Sequence, residues 1–367
     1  MMKVPFVNLG LQHRLIRDEL LELVSGLLDS GQFILGEELA KFEQSFAKTC
    51  GTTYALGVAN GTDALFLSMK MLGIGAGDEV ITAPNSFLAS ASSIFLAGAT
   101  PVFADVRDDF NIDPAQVRKA ITSRTRAIMP VHLTGRPAEM DAILAIAKEH
   151  NLAVIEDCAQ AVCAAYDEKP VGSLGNAGCF SLHPLKNLSA CGDGGVITTN
   201  DGELYRKLVK ARNHGLKSRD ECEFWSYNSR LDNLQAAMLN VKLKKLPEWT
   251  ERRREIAAYY FDRLSGLELI VPSDKLYEKA VYHTFIIQAT RRDQLKNFLS
   301  DNGVDTKIHY PIPIHLQEAA KYLGYQRGDF PVTEAQTGTI LSLPVFPELT
   351  DLQVEYVADA VLRFYKK

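Results

Sequence analysis

Residues 81–106 read ITAPNSFLASASSIFLAGATPVFADV. From Val80 to Ala104 no side chain is charged, and a run of that length could cross a bilayer. Pro84, Asn85 and Pro101, together with many Ser and Thr residues, argue against a span. The stretch is expected to fold instead as strand, loop, buried helix and strand. That reading decides the fold, because the same alternation continues on both sides of it. YALGV (54–58), EVITA (79–83), PVFADV (101–106), AIMPVHL (127–133) and AVIEDC (153–158) are short apolar runs bounded by turn or polar residues. Between them, 62–72, 86–98, 113–121 and 137–150 carry helical patterns, and Asp113-Pro114 has the form of an N-cap followed by a first-turn proline. Strands alternating with helices predict an α/β fold with a mostly parallel sheet between helices.

Beyond residue 200 the segments become longer, more charged and mostly helical, as in DGELYRKLVKARNHG (201–215), LDNLQAAMLNVKLKKL (231–246) and EWTERRREIAAYYFDRLSG (248–266). From about residue 280 a strand (281–289), a helix (292–303), a Pro-rich loop and a last helix (350–367) suggest a smaller α+β unit. Two domains are therefore expected, 1–248 and 249–367, with the boundary inside the helical connector. With 46% hydrophobic residues the chain can bury a large core, which excludes a disordered protein, and the net charge of −5 gives no reason to expect nucleic acid or an anionic membrane as partner. The six cysteines form no CxxC pair, and neither they nor the eight histidines have metal-ligand spacing, so no metal is expected and a metal-dependent hydrolase is disfavoured. Thiols used this way, with no apolar run of signal-peptide length at the N-terminus, suit a cytoplasmic enzyme.

Four features carry chemistry. Lys186, in CFSLHPLKNLSACGDGG (179–195), lies beside a strand-like run among apolar neighbours; a desolvated lysine loses proton affinity and can form Schiff bases. Read alone it is as well explained as a solvated surface lysine. Asp157 follows the buried run AVI and needs a cation or strong hydrogen bonds there, with helix capping as the plainer reading; Gln160 could point into the same cleft. Asn60-Gly61-Thr62 sits between a strand and an apolar helix, where free N–H groups and a hydroxyl can bind phosphate, though capping alone would also explain it. Phe87 could stack on a flat ring or simply fill the core. Together the four ask for one ligand with a cationic ring nitrogen, a phosphate and an aldehyde. Pyridoxal 5′-phosphate has all three.

These residues resemble the DegT/DnrJ/EryC1/StrS sugar aminotransferases, which have the fold-type I architecture of aspartate aminotransferase. The resemblance runs from VPFVNL (4–9) to the final helix and is most specific in NGTDAL, VIEDCAQA, GCFSLHPLKNLSACGDGG, RNHG, YNSRLDNLQAA and HYPIPIHLQ. It implies that Lys186 carries the cofactor as a Schiff base and shuttles the proton, that Asp157 pairs with the pyridinium nitrogen, and that Gln160 bonds the ring substituents. Phe87 would stack on the ring, while Gly61, Thr62 and Ser181 would hold the phosphate. Asn228 matches an asparagine that reaches the phosphate from the partner subunit, which implies a homodimer with a shared site. LHPLKN and SACGDGG depart from the commoner FYPGKN and GAYGDGG, so His183 reads either as a substrate contact or as a packed histidine.

The implied reaction is transamination of a nucleotide-linked keto-sugar with L-glutamate as donor, for a surface polysaccharide or a secondary metabolite. Tyr310, His315 and His309 of the loop 307–317 match positions near the sugar nucleotide, and Arg230 could meet a carboxylate or diphosphate. The loop and TGRPAEMDAI (134–143) look most like members that aminate 3-keto sugars on dTDP or UDP. C4 amination is the alternative. A sugar dehydratase is disfavoured because such members have histidine in place of Lys186, and a non-catalytic regulator is disfavoured because Lys186, Asp157 and Gln160 are all present.

Overall fold

The computed structural model describes residues 2–366. Seven strands form the main sheet: β1 (Tyr54–Val58), β2 (Glu79–Thr82), β3 (Thr100–Phe103), β4 (Thr125–Met129), β5 (Ala153–Asp157), β6 (Ala177–Ser181) and β7 (Gly195–Thr199). Their order is β1-β7-β6-β5-β4-β2-β3. Only β7 runs against its neighbours; the other pairings are parallel. Side chains alternate across the pleat, so adjacent residues enter different cores. Val80, Met129 and Ile155 pack with Leu65, Leu67 and Ile94 on one face, whereas Ile81, Ile128 and Val154 pack with Ile112, Val117 and Ile143 on the other. A sheet covered on both sides explains why its strands read as continuous apolar runs. Ile81 is fully buried, and its truncation to alanine should cost about 2–5 kcal/mol.

The uncharged stretch of the sequence resolves into β2, a loop, helix α1 (Leu88–Leu96) and β3. Among the described residues no helix is long and apolar enough to cross a membrane. The apolar helix before it, Gly61–Met71, is buried from Ala64 through Met69, and its first turn is capped by Asn60 Oδ1, which accepts from Asp63 N at 2.8 Å.

The two helical segments on either side of Pro247 form one 32-residue helix, α2 (Asn233–Leu264). Proline cannot donate the usual helical hydrogen bond, but burial of both halves holds the helix together. Its first half contributes Ala236, Leu239 and Leu246 to a core with Phe42 and Phe46. Its second half contributes Ile256, Tyr260 and Leu264 to a C-terminal core with Phe285, Leu341, Val357 and Val361. That core packs on a small antiparallel sheet, β8 (Leu269–Ile270), β9 (Phe285–Ala289) and β10 (Ile340–Leu343), and on helix α3 (Asp351–Tyr365). The last helix begins at a reciprocal cap between Thr350 and Gln353. Val4 also packs into the C-terminal core: its N–H donates to Gly303 and its carbonyl accepts from Asp305, both at 2.9 Å.

Candidate active site

The C-terminal ends of β1, β2, β4, β5 and β6 open onto one cavity of about 640 Å³. Its lining includes Asn60, Gly61 and Thr62 after β1, Phe87 and Ser90 after β2, Val131 and Leu133 after β4, Asp157 and Gln160 at β5, and Ser181, His183 and Lys186 at β6. Strand ends are where a mostly parallel sheet presents loops and helix N-termini to a ligand. The C-terminal part of the chain adds His283, Thr284, His309, Tyr310, Val345 and Phe346, and α2 adds Arg253.

The strand alternation separates the two carboxylates of β5. Asp157, 4% exposed, accepts from Ser90 Oγ at 2.8 Å and from Ala159 N at 3.1 Å. Burial raises its pKa, while these two bonds and the charge of Lys186 oppose the rise. A buried carboxylate with only these donors favours a cation beside it. Glu156 faces the other way. It accepts from the N–H groups of Gly172, Leu174 and Gly175 and meets His132 Nε2 at 3.0 Å. With Cys158 these residues are close enough to suggest a metal cluster, but His132 Nδ1 also accepts from Ala138 N at 3.0 Å. Hydrogen bonds engage both imidazole nitrogens and the carboxylate, and they tie the 172–175 turn beneath β5.

Lys186 lines the cavity and is half-buried. Desolvation lowers its pKa to about 8, and Asp157 pulls the other way. Gln160 accepts from Thr134 N at 2.7 Å through Oε1 and reaches Tyr310 Oη at 3.4 Å through Nε2. The Tyr310 hydroxyl is pushed up to about 12 by burial first, with Asp157 adding to the effect. Phe87 lies 5.6 Å from the Tyr310 ring, and 55% of it is exposed. His309 bonds Ser342 Oγ at 2.8 Å and is held neutral, down to about 4, by burial and the nearby lysines.

Close approach at one end forms a cradle. A Cβ on Gly61 would lie 2.7 Å from the Ser181 side chain, and one on Gly195 would lie 2.3 Å from the Asn60 carbonyl. Only glycine lets β6 and β7 come this near the helix N-terminus. The resulting pocket offers hydroxyls from Thr62 and Ser181 beside the first N–H groups of the helix, a donor set suited to phosphate. With Lys186 and Asp157 in the same cavity, the residues fit pyridoxal phosphate.

Three expected residues do not line the cavity. His315 is buried against Phe330 and bonds Glu334 at 3.1 Å, because the short helical turn 314–316 aims it into packing instead of toward the ligand. Arg230 donates to Asn213 Oδ1 at 3.0 Å and is half-buried there. Asn228 is exposed on a segment that bridges to Asn213, away from its own chain's cavity. Of RNHG, Arg212 pairs with Glu43 and the carbonyl of Gly57, so it braces β1. Conversely, the sequence pattern gave no sign of Ser90, which holds Asp157, or of Arg253, hidden in the charged run ERRRE (251–255).

A fold-type I aminotransferase is the class that this sheet and cavity define. Residues 14–362 match the DegT/DnrJ/EryC1/StrS aminotransferase family, and the chain belongs to it. Its cofactor is pyridoxal 5′-phosphate. The chain is 44% identical to the pleiotropic regulatory protein of Geobacillus stearothermophilus, over 100% of this chain and 99% of that one. It is also 44% identical to the dTDP-3-amino-3,6-dideoxy-alpha-D-galactopyranose transaminase of Aneurinibacillus thermoaerophilus, over 98% and 99%. Identity to the UDP-N-acetyl-3-dehydro-alpha-D-glucosamine 3-aminotransferase of Acidithiobacillus ferrooxidans is 43%, over 98% and 97%. Among solved structures, S. venezuelae DesV superposes with a TM-score of 0.98 at 40% identity, covering all of both chains.

Proposed function

We propose that the protein transfers an amino group from L-glutamate to the C3 keto group of a sugar carried on dTDP or UDP. The amino sugar would serve a surface polysaccharide or a secondary metabolite. The observation that carries the reading is the desolvated Lys186 sharing one cavity with the buried carboxylate of Asp157. Relatives named for 3-amino and 3-dehydro sugars support the C3 assignment.

When bound, pyridoxal phosphate supplies an electron sink for the carbon that exchanges its amino group. Gly61, Thr62 and Ser181 would hold its phosphate, Asp157 its ring nitrogen, Gln160 its ring substituents and Phe87 its face. Lys186 Nζ would bind its aldehyde and then serve as the base and acid that moves one proton. A pKa near 8 suits both duties at neutral pH, because the ammonium and the free amine are both populated. Tyr310, His309 and His183 also line the cavity and would meet the sugar.

The protein is read as a cytoplasmic homodimer, with units 1–248 and 249–367 and the segment around Val4 crossing to the second. Six free thiols support the compartment. Exposed apolar side chains support the dimer: Phe87 and Leu185 at the cavity, and Trp225, 95% exposed, three residues before Asn228. The decisive experiment offers a panel of 3-keto and 4-keto nucleotide sugars with glutamate and identifies products by mass spectrometry. Amination at C3 is expected; exclusive C4 amination would overturn the regiochemistry. Mixed dimers of Lys186→Ala and Asn228→Ala subunits test the shared site, since each hybrid keeps one intact constellation and should regain activity that neither parent has.

A further inference from the structure

Among the described residues, three arginines are almost fully buried: Arg136, Arg212 and Arg253. Arg136 pairs with Asp274 and Glu278, and Arg212 pairs with Glu43. Arg253 is different. Among the described residues it forms no ion pair, and the carboxylate that bears on it, Glu348, acts only at a distance. Its Nη1 donates to two backbone carbonyls, those of Tyr282 and Val345. Burial lowers its pKa to about 10, so it stays cationic at neutral pH. A desolvated guanidinium without a counter-ion is costly to keep, and this one lines the active-site cavity.

Its place relative to Lys186 is fixed by a short chain of contacts. Asn187, next to Lys186, donates through Nδ2 to the Val281 carbonyl at 3.2 Å and meets His283 Nδ1 through Oδ1, also at 3.2 Å. Arg253 donates to the carbonyl of Tyr282, the residue between those two. Neither imidazole nearby competes as a cation: burial, with Lys186 and other cations, pushes His283 and His309 down. The lysine and the arginine that line the cavity are Lys186 and Arg253.

From this arrangement we infer that Arg253 receives the α-carboxylate of the amino donor. The inference rests on the transaminase reading above. An amino acid bears its carboxylate on the same carbon as the amine that exchanges at Lys186, so the anion must arrive close to Lys186. A guanidinium fork matches a carboxylate in two parallel hydrogen bonds. The diphosphate of a nucleotide sugar lies further from the reacting carbon and fits this position less well. Arg253 is thus a donor-binding residue, and the two carbonyls it already holds keep the fork oriented.

The test separates the two half-reactions in the cofactor-loaded enzyme. L-glutamate alone should bleach the cofactor's visible band; the keto-sugar alone should restore it from the aminated form. In Arg253→Gln the half-saturating glutamate concentration should rise roughly 10- to 100-fold, while that for the keto-sugar changes less than about twofold. Arg253→Lys keeps a cation and should recover part of the loss. Calorimetric binding of glutarate, a dicarboxylate that cannot react, should weaken in the same order. Unchanged glutamate and glutarate affinities in both variants would overturn the inference. So would equal losses for glutamate and sugar, which mark Arg253 as a structural clasp, or a loss confined to the sugar, which assigns it to the diphosphate. Wild-type protein that never acquires the band would instead sink the transaminase reading, and the donor site with it.

Discussion

The two walls of the cavity are built differently. One wall is made of strand ends: Lys186, Asp157, Gly61, Thr62 and Ser181 sit within a few residues of β1, β5 and β6, which buried cores on the two faces of the sheet hold in place. The other wall comes from the loop 307–317, from 281–284 and from one face of α2, all joined to the C-terminal core. On the readings proposed above, the first wall would fit one cofactor, and the second would meet the sugar and, at Arg253, the donor's carboxylate. Chemistry should therefore fail abruptly when the first wall is cut and degrade gradually when the second is cut.

The sharpest break is Lys186→Ala or Lys186→Arg. Loss of the group that moves the proton should cut kcat at least about 10²- to 10⁴-fold, with the melting temperature nearly unchanged because the side chain lines a cavity. A variant with normal turnover would remove Lys186 from the mechanism. Asp157→Asn comes next. Its Oδ1 still accepts from Ala159 N and its Nδ2 can donate to the Ser90 hydroxyl, but the charge is gone, so kcat should fall roughly 10²- to 10³-fold, by analogy with the removal of other preorganised electrostatic groups. If the asparagine variant kept wild-type kcat, the carboxylate's charge would not be what the site uses.

The difference between the walls also explains which residues were legible in the sequence. The strand ends were legible because parallel strands buried on both faces leave unbroken apolar runs, and the residues just past such a run lie at the ligand face: Asp157 after AVI, Asn60-Gly61-Thr62 after YALGV, Phe87 after EVITA. Even the uncharged stretch 80–104 could be read, since its prolines fall in a loop and at a strand start. The C-terminal wall obeys no such period. His315 lies in a run of alternating prolines and apolar residues, and only tertiary packing decides that it turns toward Glu334 instead of the cavity. Arg253 was invisible for a similar reason. It is one of three consecutive arginines, and the helix rotation that buries it while leaving Arg252 bonded to Asp351 near the surface comes from the fold. Pro247 lies inside α2, where packing of both halves holds the helix together.

A pH experiment sharpens the first wall. Lys186 must lose its proton before it can attack the cofactor's aldehyde. Below a pKa of about 8 the amine fraction falls tenfold per pH unit. The rate at which pyridoxal phosphate reloads into the stripped protein should therefore rise nearly tenfold per unit up to pH 8 and level off above it. Asp157 raises the lysine's pKa, so in Asp157→Asn the plateau should begin at lower pH. Stopped-flow absorbance measures both; a pH-independent reloading rate would detach Lys186 from its desolvated setting.

The second wall should respond weakly. Tyr310→Phe removes one long hydrogen bond to Gln160 and leaves the ring against Phe87. A net change of about 1 kcal/mol or less predicts a sugar KM raised no more than roughly fivefold, with glutamate bleaching unaffected. A larger effect on glutamate than on sugar would assign Tyr310 to the cofactor side instead.

The smallest catalytic effect is expected at His315, and it is the most direct check on the line between the walls. Its Nε2 meets Glu334, whose carboxylate also accepts from Gly328 N at 2.8 Å, so the imidazole helps pin the 324–330 turn onto the helix Pro331–Thr339. His315→Ala should leave KM for the sugar within about twofold and reduce stability by about 1–3 kcal/mol, because a buried pair loses one partner. Thermal melting and steady-state kinetics on one preparation separate the two readouts. If instead KM rises tenfold while the melting temperature holds, His315 reaches the nucleotide sugar in the working enzyme. The loop 307–317 would then have to rearrange on binding, and the second wall would extend past the residues that line the cavity.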